Sequence, residues 1–309
     1  MKVLISGGAG FIGSHVTEEL LDHHYDVVSI DNLATGSSSN VPESVKFYNY
    51  DLNDPEMEYV FEIEKPDIVI HLAAQASVTA SMRDPYLDFH TNTAGTLRLL
   101  LLSKKYQVKK FLFASTAAVY GEPLYFPIDE KHKTNPQSYY AQSKFSAENY
   151  IALYDVLNGM DSCILRFSNV YGPRQNPNGE AGVISIFINK LLNEEAVSIY
   201  DGSQTRDFIY VKDVASACRH AIANEKKGIY NVSSGTETTI NDLFNLLAKE
   251  FDSHLSPSYK PLRQGEIERS VLDNKKAKFE LGWNAEHSLL EGLKETVKYY
   301  MKEAAVYEY

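Results

Sequence analysis

Residues 3–6 run straight into Gly7-Gly8-Ala9-Gly10-Phe11-Ile12-Gly13, and no other stretch narrows the possible folds so far. Val3, Leu4 and Ile5 favour a buried strand, and the residues after Gly13 carry a helical pattern. Glycines at 7, 10 and 13 allow a tight turn, a close approach of the backbone to a diphosphate, and close helix–strand packing. The helix that follows would point its N-terminal amides at the same phosphates. A second apolar run, 27–30, ends in Asp31, at the distance where a dinucleotide fold places the acid that binds the adenosine ribose. That carboxylate would repel the 2′-phosphate of NADP, so NAD is the expected cofactor.

Further apolar runs recur at 45–50, 68–72, 111–115, 163–168 and 229–232. Helical patterns at 11–23, 84–106 and 138–157 separate them. Strands that are apolar throughout and alternate with helices predict an α/β fold, a doubly wound parallel sheet covered on both faces. After residue 170 the pattern loosens through Pro173, Pro177, Asn178 and Gly179. Helical patterns return at 240–251 and 289–301. The expected division is a dinucleotide-binding domain, 1–170 with about 205–232, and a smaller α/β lobe from about 171–204 with 233–309.

Composition removes several function classes. The formal net charge of −11 over 309 residues opposes binding to a phosphate backbone, so no nucleic-acid partner is expected. No apolar run reaches the roughly 18 residues of a membrane span, and the early glycines do not fit a signal peptide. Cys163 and Cys218 lack the spacing of a metal or redox pair, and no His–carboxylate cluster has ligand spacing, so no metal is expected. A cytoplasmic location follows as the default.

Ser138-Tyr139-Tyr140-Ala141-Gln142-Ser143-Lys144 carries the candidate chemistry. Tyr140 and Lys144 are four apart and share a helix face. Tyr139 points roughly 100° away from Tyr140. A phenol titrates near pH 10, so three units of lowering, about 4 kcal/mol, are needed before it serves as a base at neutrality. A neighbouring ammonium and a cationic nicotinamide ring both act in that direction. A third element, Ser115-Thr116-Ala117-Ala118-Val119-Tyr120-Gly121, lies at the end of the fifth strand, where open α/β sheets bind ligands.

With Asp31-Asn32-Leu33, Asp51-Leu52, His71-Leu72-Ala73-Ala74, Leu165–Arg174 and Arg206-Asp207-Phe208-Ile209-Tyr210-Val211, these motifs resemble the extended short-chain dehydrogenase/reductase family. Within it they are similar to the NAD-dependent nucleotide-sugar epimerases and dehydratases, over essentially the whole chain. The resemblance implies a Rossmann domain and a role for each residue. Tyr140 is the base, Lys144 holds the nicotinamide ribose and favours the Tyr140 phenolate, and Thr116 bonds the sugar 4-hydroxyl. Gly7, Gly10, Phe11, Ile12, Gly13, Asp31, Asn32, Asp51, Leu52, Leu72, Ala73, Ala74, Asn92 and Ser115 complete the cofactor site. Asn169, Arg206 and Arg263 grip the nucleotide diphosphate, and Tyr200 lies beside the uracil.

Family dehydratases carry an Asp-Glu pair where this chain has Ala117 and Ala118, and the related decarboxylases carry Glu at the second position. Hydroxyl, tyrosine, lysine and NAD remain, the set of a UDP-sugar 4-epimerase working through a transient 4-keto sugar. Ser270 aligns with a size-gating position, so UDP-GlcNAc/UDP-GalNAc joins UDP-glucose/UDP-galactose. Arg83 keeps a UDP-glucuronate alternative open, against Thr79 and Asn176. The stretch Gln75-Ala76-Ser77-Val78 lacks the lysine that many galactose-pathway epimerases place after the fourth strand. Segments 84–106 and 138–157 resemble the helices with which the family forms homodimers. A non-catalytic NAD sensor is disfavoured by the complete triad.

Overall fold

The computed structural model describes residues 1–177, 182–261 and 267–306. Strands β1 (Lys2–Ser6), β2 (Asp26–Ile30), β3 (Lys46–Tyr48), β4 (Ile68–His71), β5 (Lys110–Thr116) and β6 (Asp161–Phe167) come from the first half. Short strands follow at β7 (Asn169–Tyr171), β8 (Ser198–Tyr200), β9 (Thr205–Arg206) and β10 (Phe208–Tyr210). The series ends with β11 (Gly228–Val232), β12 (Thr238–Thr239) and β13 (Ser258–Lys260). Seven of these form one parallel sheet in the order β3-β2-β1-β4-β5-β6-β11. This is the doubly wound arrangement, with the strand order reversing between β1 and β4.

Burial on both faces explains why these strands are apolar throughout. Val3, Ile5, Ile70, Leu112 and Leu165 pack on one face, beneath α1 (Phe11–Asp22) and residues of a later helix. Leu4, Val69, Phe111 and Phe113 pack on the other. That face is covered by residues of α2 (Met57–Glu64), which the apolar runs did not reveal, and of two longer helices.

The expected helix over 84–106 is three pieces. After α3 (Val78–Arg83), α4 (Pro85–Phe89) starts on Asp84, whose Oδ1 accepts from the Leu87 amide at 2.9 Å. A π-turn at His90–Ala94 then leads into α5 (Gly95–Lys105). Single π-turns often mark functional positions, and here one carries Asn92. α6 (Tyr139–Asn158) begins where Ser138 caps it, accepting from the Ala141 amide at 3.1 Å, and ends at Gly159 with φ +65°. The cap sets the register that puts Tyr140 and Lys144 on one face.

The smaller lobe is built on α7 (Val183–Leu192) and, beyond α8 (Val211–Ala223), on α9 (Ile240–Glu250) and α10 (Leu289–Val306). Phe187, Ile188, Leu243, Phe244 and Leu293 share its core. Of the expected return at 205–232, β11 joins the main sheet and α8 packs on α1. β9 and β10 pair instead with β12 and β7. Ala277, Leu281 and Trp283 pack into the sheet-side core. We propose the division into two lobes on these separate cores. No helix among the described residues is long and apolar enough to cross a membrane.

Candidate active site

β1 and β4 separate at the point where the strand order reverses, and a cleft of about 860 Å³ opens there. The turn out of β1 needs Gly7, whose φ is +76° and where a Cβ would lie 2.6 Å from the Ala73 amide nitrogen. Gly13 packs against the same turn, since a Cβ there would meet the Gly7 carbonyl at 2.0 Å. Gly10 caps α1 without a side-chain acceptor, so the first-turn amides suit an incoming anion. Gly7, Gly10, Phe11, Ile12 and Gly13 all line the cleft.

At the end of β2, Asp31 accepts from the Ala9 amide at 3.1 Å and the Leu33 amide at 2.8 Å. It therefore braces the glycine turn as well as lining the cleft. Burial raises its carboxyl above the ordinary value, and those amides oppose the rise. Asn32 donates to Asp51 Oδ2 at 2.8 Å, joining two residues expected around the adenosine. Leu52, Leu72, Ala73 and Ala74 complete that wall.

The chemistry gathers where β5 outruns β4. The pairing His71↔Phe113 is the last between them, so Ala114, Ser115 and Thr116 project beyond β4. Lys144, almost fully buried, donates to the Ala114 carbonyl at 2.9 Å and lies 4.6 Å from the Phe113 ring centroid. Burial brings its ammonium down to about 8. Thr116 accepts from the Ala118 amide at 3.2 Å, which leaves its own hydroxyl hydrogen for another acceptor. Tyr140, half-buried, lines the cleft; Tyr139 is 49% exposed and does not.

Buried polar side chains fix this end of the sheet. Thr96 donates to the Asn92 carbonyl at 2.5 Å, so His71 Nε2 donates to Thr96 Oγ1 at 2.9 Å. His71 Nδ1 then accepts from Ser6 Oγ at 2.7 Å. Burial, with the Lys144 charge adding to it, holds His71 well below its ordinary value, hence neutral. Ser115 donates to Glu148, and Arg166 Nε meets the same carboxylate at 3.0 Å. Ser115 thus braces α6 and is not part of the cleft wall.

Other expected residues are placed variously. Asn169 lines the cleft. Asn92 does not; its amide bonds Gln75, Asp88 and Ser143. Arg206 donates to the Ile267 carbonyl at 2.8 Å, and Tyr200 ends β8, both off the cleft wall. Ser270 is half-buried, and Arg263 lies outside the described residues. Arg83 and Thr79 are exposed and away from the wall, whereas Asn176 is on it. Sequence reasoning assigned no role to Ala34, Thr35, Ser37, Ser39 and Asn40, which cover the glycine turn, although a run of small polar residues after Asp31 is a usable signal. Nor did it expect Arg174 or Tyr299 on the cleft wall.

The model of the NAD dependent epimerase/dehydratase family matches residues 3–233. A UDP-glucose 4-epimerase from Thermotoga maritima, solved with UDP-glucose, is 44% identical with a TM-score of 0.96, covering 98% of this chain and 100% of its own. A UDP-glucose 4-epimerase from Thermus thermophilus, in complex with NAD, is 42% identical with a TM-score of 0.92, over 97% and 99%. A UDP-N-acetylglucosamine 4-epimerase from Methanobrevibacter ruminantium M1, in complex with UDP-N-acetylmuramic acid, is 36% identical with a TM-score of 0.94, over 98% of both.

Proposed function

The chain belongs to the NAD-dependent epimerase/dehydratase family, and we propose that it works there as a UDP-hexose 4-epimerase. The observation that carries this is Tyr140 on the cleft wall, one helical turn from a buried Lys144 bonded to the strand end that bears Thr116. NAD is the cofactor. The residues present fit it: an uncapped α1 N-terminus and Gly7 for the diphosphate, Asp31 and Asn32 for the adenosine ribose, Asp51 and Leu52 for the adenine. When bound, NAD supplies the acceptor for the carbon-4 hydride and its return.

The chain's own residues handle the proton and the geometry. Tyr140, as phenolate, takes the proton of the sugar 4-hydroxyl and later gives it back. Lys144 favours that phenolate with its charge and holds the nicotinamide ribose. Thr116 donates to the sugar 4-oxygen. Ala117 and Ala118 hold no proton for carbons 5 and 6, which disfavours dehydration and decarboxylation.

For the substrate we favour UDP-glucose/UDP-galactose, with UDP-GlcNAc/UDP-GalNAc admitted by the small, half-buried Ser270. The names of the relatives cover both pairs. Asn169, Tyr200, Arg206 and Arg263 are the proposed grip on UDP. With Arg83 exposed and off the cleft wall, UDP-glucuronate is disfavoured. Exposed Tyr86, Phe89, Leu153, Val156 and Leu157 on α4 and α6 support a homodimer. The buried free thiols of Cys163 and Cys218 support a cytoplasmic setting. Incubation with UDP-glucose, UDP-GlcNAc and UDP-glucuronate separately, followed by NMR of the sugars, tests the reading. No 4-epimer from any of them would sink it.

A further inference from the structure

Asp88, on α4, is 1% exposed, yet it is a carboxylate that the chemistry described so far does not use. Its Oδ1 accepts from Gln75 Nε2 at 2.8 Å and from Asn92 Nδ2 at 3.1 Å. Its Oδ2 is buried and has no partner in hydrogen-bonding geometry among the described residues; burial raises the carboxyl above its ordinary value, and the neighbouring Ser143 hydroxyl and Gln75 amide oppose that rise. A buried carboxylate oxygen without a partner is costly, so its retention asks for a reason.

The surroundings supply one. The two Asn92 Nδ2 hydrogens are shared among Asp88, the Gln75 carbonyl at 2.9 Å and Ser143 Oγ at 3.0 Å, and Ser143 donates to the Tyr140 carbonyl at 3.0 Å. A hydrogen-bonded path therefore runs from Asp88 to the backbone of the proposed base. Next to Ser143 lies Lys144, whose buried ammonium has no carboxylate within ion-pair distance among the described residues. The charged and titratable groups that act on Lys144 are Asp88 from α4, Glu148 from its own helix, and neutral His71 from β4. Glu148 is already engaged by Arg166. Asp88 is the stronger of the two carboxylates in opposing the loss of charge that burial causes.

We propose that Asp88 is a positioning residue for the reaction: the buried carboxylate that keeps the Lys144 ammonium charged beneath the cofactor, and through Asn92 and Ser143 steadies Tyr140. The π-turn that brings Asn92 under Gln75 and Ser143 is part of the device. This rests on the 4-epimerase reading.

The test is the pH profile of kcat for wild type, Asp88→Asn and Asp88→Glu, with UDP-glucose as substrate. Melting temperature and bound NAD are measured beside it. Wild type that epimerises none of UDP-glucose, UDP-GlcNAc and UDP-glucuronate at any pH rejects the 4-epimerase reading itself, and the profile is read on UDP-GlcNAc if wild type turns over that sugar alone. With an active wild type, Asp88→Asn is expected to shift the alkaline limb about one unit lower. It then loses roughly eight-fold in kcat at pH 8.5 but less than two-fold at pH 6.0. Asp88→Glu, which keeps the charge, is expected to hold the limb near its original place. A loss in the same proportion at every pH, or no change, overturns the proposal. If Asp88→Asn does not fold, Asp88→Ser is neutral and smaller and is read on the same limb.

Discussion

Lys144 donates to the Ala114 carbonyl, 2.9 Å away, at the one strand end that projects past its neighbour β4. This bond ties the helix bearing Tyr140 to the strand bearing Thr116. The spacing of α6 and the length of β5 together decide where the chemistry happens. Neither element would place a base beside the cleft alone.

Tyr140→Phe is expected to lower kcat by about 10³-fold or more while fold and bound NAD persist. Tyr139→Phe is expected to keep kcat within about three-fold, because that ring is exposed and off the cleft wall. Sugar NMR for activity and absorbance for NAD check both. Loss in Tyr139→Phe with activity in Tyr140→Phe would mean that the base is assigned to the wrong ring.

Lys144 is a place where function works against stability. Its ammonium is brought from the ordinary 10.5 to about 8 by burial. Between those values the unfolded chain binds a proton that the folded chain has released, so stability rises with pH across that window. The whole cost, about 3 kcal/mol, is present below pH 8. Lys144→Met is expected to abolish epimerisation, and its unfolding free energy relative to wild type is expected to be about 2 kcal/mol more favourable at pH 7 than at pH 10, because only wild type carries this cost at the lower pH. Urea unfolding followed by the fluorescence of buried Trp283 reads this. A stability difference from wild type that is the same at pH 7 and pH 10 would reject the argument.

How much of this was legible in the chain differs by element. The main-sheet strands announce themselves because burial on both faces leaves them apolar throughout, and α1 because the glycine turn opens it. α2, α7 and α8 were not foreseen, since none of their N-caps, Glu56, Gly182 and Tyr210, has a side chain that caps the first turn and so no start signal stands in the chain. In the site, Tyr140 and Lys144 are readable from helix spacing, and Asp31 from its distance to the glycines. Asn92 and Ser115 were expected at the cofactor, but their side chains brace Gln75, Ser143 and Glu148 instead. Such pairings join residues 17 to 51 apart, and a π-turn breaks the helical spacing that would have hinted at them.

The exposed apolar side chains of α4 and α6 give a prediction about assembly. Val156 is 81% exposed and Leu157 69% on α6, and Tyr86 and Phe89 are exposed on α4, which packs on the same helix. Surface apolar residues in such number mark an interface. Wild type is expected to have the mass of a dimer by light scattering. Val156→Glu combined with Leu153→Arg is expected to give a folded monomer, and a monomeric wild type would reject the homodimer.

Glu148 and Arg166 allow a stability prediction that is independent of catalysis. Both side chains are almost fully buried, with Arg166 Nε on Glu148 Oε1 at 3.0 Å and the guanidinium carbon 4.7 Å from the Tyr120 ring centroid. Removing one member strands the other charge in the interior, a cost of about 3–5 kcal/mol. Arg166→Met is therefore expected to lose that much unfolding free energy. Ser115→Ala, which removes only a hydroxyl from Glu148, is expected to lose about 1 kcal/mol. Because Ser115 is on β5 and Glu148 on α6, Arg166→Met should also loosen the strand–helix joint that Lys144 closes on Ala114. Urea unfolding gives the first quantity, and hydrogen exchange at the 114–116 amides gives the second. Exchange there no faster than in wild type would separate this ion pair from the geometry of the site.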